Sequence, residues 1–376
     1  MDQRIAQVLA QTPRTTLEIV ASGALSLPNA KLEAPPSFSE IKRPHAEERT
    51  IGIVRVAGTV GGCPWSSVVK LVDLGIPGSD RVGGMTWPEY EEFVYEQHLF
   101  ADEGMSFRPA RCYAVTRPEG DLKLFWLEDL SGNRGAPFSI EEISRMAGHL
   151  GEWNGRHTSA MPQLSFPLGR DAYVHRVRGW NYPKHLAQLS QNRDHPTVRA
   201  VYPDGSHAIL TRLIDVVDRL MKRILGAPHG FAFGDCSVGS VFSLPHETVA
   251  IDWASLTDDP IGVDGGCLVG SSLSWGPEFI ATVRAESDLW QCYVDGLRRE
   301  GWRGDDADLR RAGLAQIGSY LMAMSTTPNL FVSGDERMRT FLQGRFGLPE
   351  PEIVKRLGEA VLLMPAYADE IEALLV

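Results

Sequence analysis

The chain has 376 residues, of which 43% are hydrophobic and 23% are charged, and these ordinary globular values exclude wholesale disorder. Its formal net charge of −11 at pH 7 argues against a nucleic-acid-binding protein, which would carry clustered Lys and Arg on a basic surface. No apolar run reaches the roughly 18 residues that span a bilayer, and the N-terminus lacks a signal-peptide core, so the sequence predicts a soluble cytoplasmic protein.

The first 130 residues predict a small antiparallel sheet with one helix packed on it. The segments IGIVRVAGT and WSSVVKLVDL are β-branched and apolar, which is typical of strands, and the turn-forming VGGCP joins them. A helix is predicted at PEYEEFVYEQHLF, and two more strands at RCYAVTR and LKLFWLEDL. Before them, the N-terminus predicts one short amphipathic helix, and the Pro- and Ser-rich residues 25–50 predict a loop.

The remainder of the chain predicts helices around two short strands. Ser139 and Glu142 form a capping-box pattern at the start of FSIEEISRMAGHLGEWNGRH, and SHAILTRLIDVVDRLMKRIL is amphipathic. Further helices are predicted at 277–301, 306–324 and 351–376. We therefore expect an α+β protein with a β-rich lobe over residues 1–130, a connector near residues 126–132, and a larger helical lobe over residues 131–376.

The cysteines and histidines show no metal or disulfide pattern. The five cysteines are widely spaced without a CxxC pair, and the ten histidines lack the HExxH spacing of a zinc site. The sequence therefore predicts reduced, mostly buried thiols.

Lys70 is a candidate for binding phosphate, because it is the one charge in the apolar strand VVKLV. The alternative is an edge lysine that extends its ammonium group to solvent. The next predicted helix offers four acidic partners for it, Glu89, Glu91, Glu92 and Glu96.

A second candidate is the connector FWLEDL, residues 125–130, which lies where the composition changes. The backbone N–H and C=O groups of Glu128, Asp129 and Leu130 could bind an adenine edge there. The alternative is a core strand that ends in a solvated Glu128–Asp129 pair.

The segments GDCSVGS and IDWAS each place an aspartate at the end of a predicted strand. A carboxylate such as Asp235 can accept the proton of an attacking hydroxyl, and a second one such as Asp252 can hold Mg²⁺ together with phosphate oxygens. Because aspartate is also common in turns, neither residue is diagnostic by itself.

In this order and spacing, the pieces resemble the aminoglycoside phosphotransferase family, whose fold is that of the protein kinases. The resemblance implies a two-lobed, kinase-like fold and an ATP- and Mg²⁺-dependent transfer of the γ-phosphate to a hydroxyl group. It implies that Lys70, paired with Glu91 in an E-x-x-x-Y pattern, contacts phosphates, that Asp235 is the catalytic base, and that Asp252 binds the metal. It also implies that Glu128, Asp129 and Leu130 contact the nucleotide. The flanking segments RVAGT, HLGEWNG and YVDGLRREGWRGD also resemble one branch of the family.

The sequence departs from the family pattern at three places. Phe233 replaces the catalytic-loop histidine, Ser240 replaces the asparagine that supplies a second metal ligand, and no clear glycine-rich phosphate loop precedes IGIVRVAG. The resemblance implies that Ser240, with Ser237 as the alternative, helps to bind the metal directly or through water. Relatives act on aminoglycosides, choline-like alcohols, sugars, or Ser and Thr of a precursor peptide that a lyase partner then processes. Ser240 and the missing glycine-rich loop leave open a degenerate kinase that binds a nucleotide, peptide or partner protein without turnover. A second alternative is a structural or scaffolding subunit whose acidic surface binds a partner.

Overall fold

The structure, a computed structural model, describes most of the chain. The described residues are 1–42, 49–75, 88–97, 99–100, 104–118, 120–133, 135–159, 164, 168–178, 182–202, 206–275, 279–334, 336, 339–340, 342–343 and 347–376. They fall into two compact units, the first comprising Met1–Glu103, Arg108–Arg134 and Val249–Ala254, and the second comprising Gly104–Phe107, Gly135–Thr248 and Ser255–Val376. The sequence-based division at residue 130 assigned Val249–Ala254 to the helical part, whereas this segment packs in the first unit, where Ala250 accepts a hydrogen bond from Ala110 N.

The first unit is built on a five-stranded antiparallel sheet with the order β1-β2-β3-β6-β5. Its elements in chain order are helices α1 (Gln3–Ala10) and α2 (Arg14–Leu25), strands β1 (Ser37–Lys42), β2 (Thr50–Val60) and β3 (Cys63–Asp73), helix α3 (Pro88–Glu96), and strands β4 (Phe107–Pro109, of which Phe107 belongs to the second unit), β5 (Cys112–Thr116) and β6 (Leu122–Glu128). The four predicted strands and α3 are confirmed. The β2–β3 hairpin turns at Gly61 and Gly62, whose positive φ values of 57° and 76° suit a two-residue primed turn.

Two features of the N-terminal region differ from the sequence prediction. The single short helix predicted there is two helices, separated at Pro13, and the predicted loop over residues 25–50 contains strand β1. Both helices supply buried side chains to the apolar core of the sheet, Ile5, Leu9, Leu17, Val20 and Ala21. Residues 43–48, part of the segment without a glycine-rich loop, lie outside the described residues.

The second unit is mostly helical. Its elements are α4 (Ile140–Ser159), α5 (Ala172–Arg178), α6 (Tyr182–Gln191), α7 (Pro196–Val201), α8 (Ser206–Ile224), β7 (His229–Ala232), β8 (Val241–Ser243), β10 (Thr257–Pro260), α9 (Val263–Trp275), α10 (Phe279–Arg299), α11 (Asp306–Thr326), and the helices Pro328–Val332, Glu350–Val361 and Met364–Leu375. Strand β9 (Thr248–Ala250) begins at the last residue of this part of the second unit, and its other two residues belong to the first unit. Strand β10 pairs antiparallel with β7, which directly precedes the loop that contains Asp235. The helix predicted as continuous over 351–376 is interrupted at Leu362–Leu363, before Pro365.

The capping box at α4 is confirmed. Glu142 N donates to Ser139 Oγ at 3.3 Å, and Ser139 N donates to Glu142 Oε2 at 2.7 Å, so each residue satisfies a backbone donor of the other.

Glycines on α4 and α10 let these two helices cross with their backbones in contact. A Cβ on Gly151 would lie 2.1 Å from the Tyr293 carbonyl oxygen, and one on Gly296 would lie 2.2 Å from the Gly148 carbonyl oxygen. The segments HLGEWNG and YVDGLRREG therefore have a packing role, because any larger residue at these positions would force the helices apart.

The predicted class, an antiparallel sheet region followed by a mostly helical part, is confirmed. The first unit contains α1 and α2 where one short N-terminal helix was predicted, in addition to α3. In the part of the chain that the structure describes, the helices are all too short or too polar to cross a membrane.

Candidate active site

Lys70 contacts two carboxylates in the first unit. Its Nζ lies 2.8 Å from Oε2 of Glu91, on α3, and 2.7 Å from Oδ1 of Asp252, in the segment that follows β9. The Glu91 side chain is only 1% exposed, whereas that of Asp252 is 54% exposed. Three residues that lie far apart in sequence therefore form one charged cluster with a buried side and an open side.

The backbone around Lys70 and Asp252 fixes this cluster. Lys70 lies in the central strand β3, paired with Ile53 on one side and Phe125 on the other, so it is not an edge residue. Asp252 has a φ of 67°, in the left-handed region that an aspartate tolerates better than most residues. Immediately after it, Trp253 is fully buried and stacks on Phe100 with ring centroids 5.4 Å apart.

Electrostatics favour a charged Lys70 in this cluster. Burial opposes its ammonium charge, but the Asp252 and Glu91 carboxylates outweigh burial and raise the pKa of Lys70 above its ordinary value. Burial also raises the pKa of Glu91, and the Lys70 ammonium opposes that rise. The cluster therefore holds a fixed positive charge beside a half-exposed carboxylate.

The connector residues Glu128 and Asp129 form ion pairs rather than the solvated pair that was the alternative. Glu128 Oε1 accepts from Arg111 N at 3.0 Å and pairs with Arg108, while Asp129 Oδ2 accepts from Arg55 Nε at 2.8 Å. Pairing of β6 with β3 ends at Glu128, so Asp129 and the buried Leu130 follow the last paired residue of the sheet. The side chains of Glu128 and Asp129 are occupied by their arginine partners. A nucleotide that binds here would therefore contact backbone N–H and C=O groups.

In the second unit, Asp235 lies in a loop that is held by a buried aspartate, Asp264 at the start of α9. Asp264 Oδ2 accepts from Phe233 N at 2.7 Å and from Asn154 Nδ2 at 3.0 Å, and its Oδ1 accepts from Gly234 N at 2.9 Å. Tyr293 Oη in turn donates to Asn154 Oδ1 at 3.1 Å. This network fixes the two residues that precede Asp235.

The rest of the loop is held by its own backbone and by serines. Ser237 N donates to the Asp235 carbonyl at 2.7 Å, and Ser240 N donates to the Ser237 carbonyl at 2.9 Å. The hydroxyl groups of Ser237 and Ser240 lie 3.3 Å apart, and both residues are buried. Phe233, which stands where the family that the sequence resembles has a histidine, is fully buried against Phe107 at a ring-centroid distance of 6.3 Å.

The residues predicted to bind Mg²⁺ differ in how well they fit an ion. Among the described residues, no three His, Cys, Asp or Glu side chains form a group that could hold a metal. Mg²⁺ needs no such group, since one or two carboxylates with substrate phosphates and water complete its shell. The half-exposed carboxylate of Asp252 fits this requirement, while the Ser240 hydroxyl is buried and bonded to Ser237, so it is the weaker candidate.

Sequence reasoning missed two features of these clusters. Asp264 lies in an acidic segment that carries no motif, yet it is only 1% exposed and is bonded to the Asp235 loop. Glu92 was considered as a partner of Lys70, but it pairs with Lys123. The sequence could have indicated Lys123 as a buried partner for a carboxylate, because it lies within an apolar strand as Lys70 does.

Among known proteins, this chain is similar only to solved structures. No protein-family model matches the sequence, and no curated protein matches it. Matching solved structures include a microcompartment-associated aminopropanol kinase (12% identity, 95% of this chain and 99% of that chain, TM-score 0.49) and an aminoglycoside phosphotransferase from Alicyclobacillus acidocaldarius (15% identity, 89% and 93%, TM-score 0.48). A third is an amicoumacin kinase, solved with AMP-PNP and Ca²⁺ (14% identity, 94% and 96%, TM-score 0.45). All three TM-scores are below 0.5, and all three identities are below 25%.

Proposed function

We propose that this protein is an ATP- and Mg²⁺-dependent phosphotransferase that moves the γ-phosphate to a hydroxyl group. The observation that supports it is the contact of Lys70 with both Glu91 and Asp252, from a strand, a helix and a separate C-terminal segment. A lysine whose side chain is only 12% exposed is costly to keep charged unless carboxylates pair with it. Glu91 and Asp252 provide this pairing for Lys70, and Asp252 is exposed. That combination suits the binding of a metal-bound polyphosphate.

Each residue has a distinct role in the proposal. Lys70, oriented by Glu91, contacts phosphate oxygens, and the half-exposed Asp252 supplies the carboxylate for Mg²⁺. When bound, the ion neutralises charge on the phosphate oxygens. Asp235 accepts the proton of the attacking hydroxyl, in a loop whose backbone Asp264 holds in place, so catalysis consists largely of positioning and charge stabilisation.

The acceptor is a hydroxyl-bearing small molecule or a Ser or Thr of a precursor peptide, the latter implying a lyase partner. A panel that contains both classes decides between them. The readout is transfer of labelled γ-phosphate to the acceptor, followed by mass spectrometry of the product.

The alternative function is nucleotide binding without turnover. It is motivated by Ser240, whose buried hydroxyl lies against Ser237 where the family has an asparagine. A protein of this kind would show a thermal shift with nucleotide and Mg²⁺ but no transfer to any acceptor in the panel.

The central experiment compares Asp235→Asn with the wild type and with Asp295→Asn, an exposed aspartate on α10 as a matched control. We expect Asp235→Asn to lose transfer by about 10²-fold or more while it keeps the nucleotide Kd within about threefold. The control should retain both properties. A fully active Asp235→Asn variant, or a wild-type protein that binds no nucleotide, would contradict the proposal.

A further inference from the structure

A second buried Lys–Glu pair lies beside the Lys70–Glu91 pair, and the proposed function does not use it. Lys123 Nζ, from β6, donates to Oε2 of Glu92, the residue that follows Glu91 on α3. Lys123 is 3% exposed and Glu92 is 7% exposed. Arg117 also forms an ion pair with Glu92, and its Nη2 lies 3.6 Å from Glu96 Oε1.

The two lysines leave the same face of the sheet. In the β3–β6 register Lys70 is opposite Phe125 and Val72 is opposite Lys123. Because side chains alternate between faces along a strand, Lys70 and Lys123 are diagonal neighbours on one face, and α3 supplies the carboxylates that meet them. Two consecutive carboxylates of one helix are therefore bound by two lysines of one sheet.

This arrangement constrains how α3 can turn about its own axis. Consecutive residues on a helix are separated by about 100° around the axis, so Glu91 and Glu92 contact the sheet from two different directions. With a single ion pair α3 could still rotate about that contact, whereas two ion pairs fix the rotation of the helix about its axis. With Glu92 bound to Lys123, Glu91 is the carboxylate that remains for Lys70.

The helix needs such contacts because it is short. Helix α3 has nine residues, fewer than the roughly 12–15 that an isolated helix needs to be even marginally stable in water. Its position must therefore come from tertiary contacts, and a buried charge pair is highly directional. Removing one partner would leave the other charged and buried, which favours movement of the helix.

We propose that Lys123 and Glu92 are positioning residues that hold α3 in the orientation in which Glu91 meets Lys70. This inference deepens the proposed function and rests on it, because the consequence of the positioning is correct placement of Lys70 for phosphate. Neither residue contacts the nucleotide in the proposal. Their effect is transmitted through Glu91.

The test uses the full-length variants Lys123→Met and Glu92→Gln, with Glu89→Gln as the matched control on the same helix. Glu89 is exposed, so its substitution removes one negative charge from α3 while the buried Glu92–Lys123 pair stays intact. We expect Lys123→Met and Glu92→Gln to raise the KM for ATP about tenfold or more, since a small misplacement of a phosphate-binding group is costly. Glu89→Gln should stay within about twofold.

Hydrogen exchange of the α3 amides provides a second readout that needs no activity. Exchange over Pro88–Glu96 should be faster in both pair variants than in Glu89→Gln, while exchange in α8, in the second unit, should be unchanged. If Lys123→Met does not fold, Glu92→Gln carries the test, because glutamine has nearly the same size as glutamate and removes only the charge of the pair.

The outcomes separate the two proposals. Faster α3 exchange in the pair variants, with no phosphoryl transfer by the wild type, would support the positioning role and overturn the proposed function. Wild-type exchange and an unchanged KM in the pair variants would overturn the positioning role alone. A lower Tm with a lower kcat and an unchanged KM would also overturn it, because that pattern indicates loss of folded enzyme rather than misplacement of Lys70.

Discussion

Gly234, the residue before Asp235, combines two constraints that only glycine meets. Its φ is +86°, which L-residues rarely adopt, and a Cβ on it would lie 2.1 Å from the Ser255 carbonyl oxygen. Its N–H also donates to Asp264 Oδ1 at 2.9 Å. The backbone that precedes Asp235 is therefore set by the absence of a side chain as much as by the hydrogen bond.

We predict that Gly234→Ala destabilises the second unit and lowers phosphoryl transfer. The matched control is Gly120→Ala, which has nearly the same φ, +88°, but nothing within 4 Å of a Cβ. The control should cost about 1 kcal/mol from backbone strain alone, and Gly234→Ala should cost clearly more because the loop must also move. Calorimetric unfolding of the two variants measures the difference, and equal midpoints would show that the steric contact is unimportant.

Asp264 is the residue on which the Asp235 loop depends most. Replacing it with alanine leaves the N–H groups of Phe233 and Gly234 and the amide of Asn154 without their common acceptor in the interior. Buried donors left unsatisfied cost about 1–3 kcal/mol each, so we expect Asp264→Ala to lower the stability by about 3 kcal/mol or more. Urea unfolding measures it, with the exposed Asp295→Ala expected within about 0.5 kcal/mol of the wild type.

Among the helices and strands, the sequence predicted those whose residues form a clear local pattern. Strands β2 and β3 are long, apolar and joined by two glycines, and α4 carries a complete capping box, so each was predictable. Strand β1, SFSEIK, was not, because it has few apolar residues and becomes a strand only by pairing with β2. The break before Pro365 was missed because the apolar pattern continues through Leu362 and Leu363, although proline favours the first turn of a new helix.

Glycines in the helices of this chain differ in the space around them. A glycine-to-alanine substitution should therefore have opposite effects at a crowded position and at an open one. A Cβ on Gly151 of α4 would lie 2.1 Å from the Tyr293 carbonyl oxygen, whereas one on Gly358, in Glu350–Val361, would meet its nearest atom at 3.4 Å. Alanine is favoured over glycine inside a helix by about 1 kcal/mol. At Gly151, overpacking costs of about 1–3 kcal/mol oppose that gain.

We therefore predict that Gly358→Ala raises the unfolding midpoint and that Gly151→Ala lowers it. Thermal unfolding followed by circular dichroism measures both shifts. A Gly151→Ala variant that is as stable as Gly358→Ala would mean that α4 and α10 can separate at little cost, contrary to the close backbone contact described above.

At the scale of the whole molecule, the sequence predicted that charged residues of α3 meet lysines of the sheet, but it did not predict every pair. Lys70 and Glu91 were predicted as a pair, and they are in contact. That Glu92 binds Lys123 depends on the register of β6 against β3, which a linear pattern does not contain. Asp264 lies in an ordinary acidic segment, and only the fold places it beneath the Asp235 loop.

The cysteines provide a test of burial across the molecule. Cys63 is exposed at the β2–β3 hairpin, whereas Cys236 and Cys267 in the second unit are buried. Burial raises the pKa of Cys112, in the first unit, to about 12, and it raises that of Cys236 as well. With a pKa of about 12, roughly one Cys112 in ten thousand is a thiolate at pH 8, against about one in four for an ordinary cysteine.

We predict that maleimide at pH 8 labels the exposed Cys63 first in the native protein, labels the partly buried Cys112 much more slowly because its pKa is raised, and labels Cys236 only after unfolding. Peptide mass spectrometry over a time course measures the order, and a sample in urea, where every thiol is exposed, is the control for intrinsic reactivity. The labelling rate of Cys236 then reports opening of the second unit, because this buried thiol must reach solvent to react. Rapid native labelling of Cys236 would show that the loop after Asp235 opens readily, which is incompatible with a loop held by Asp264.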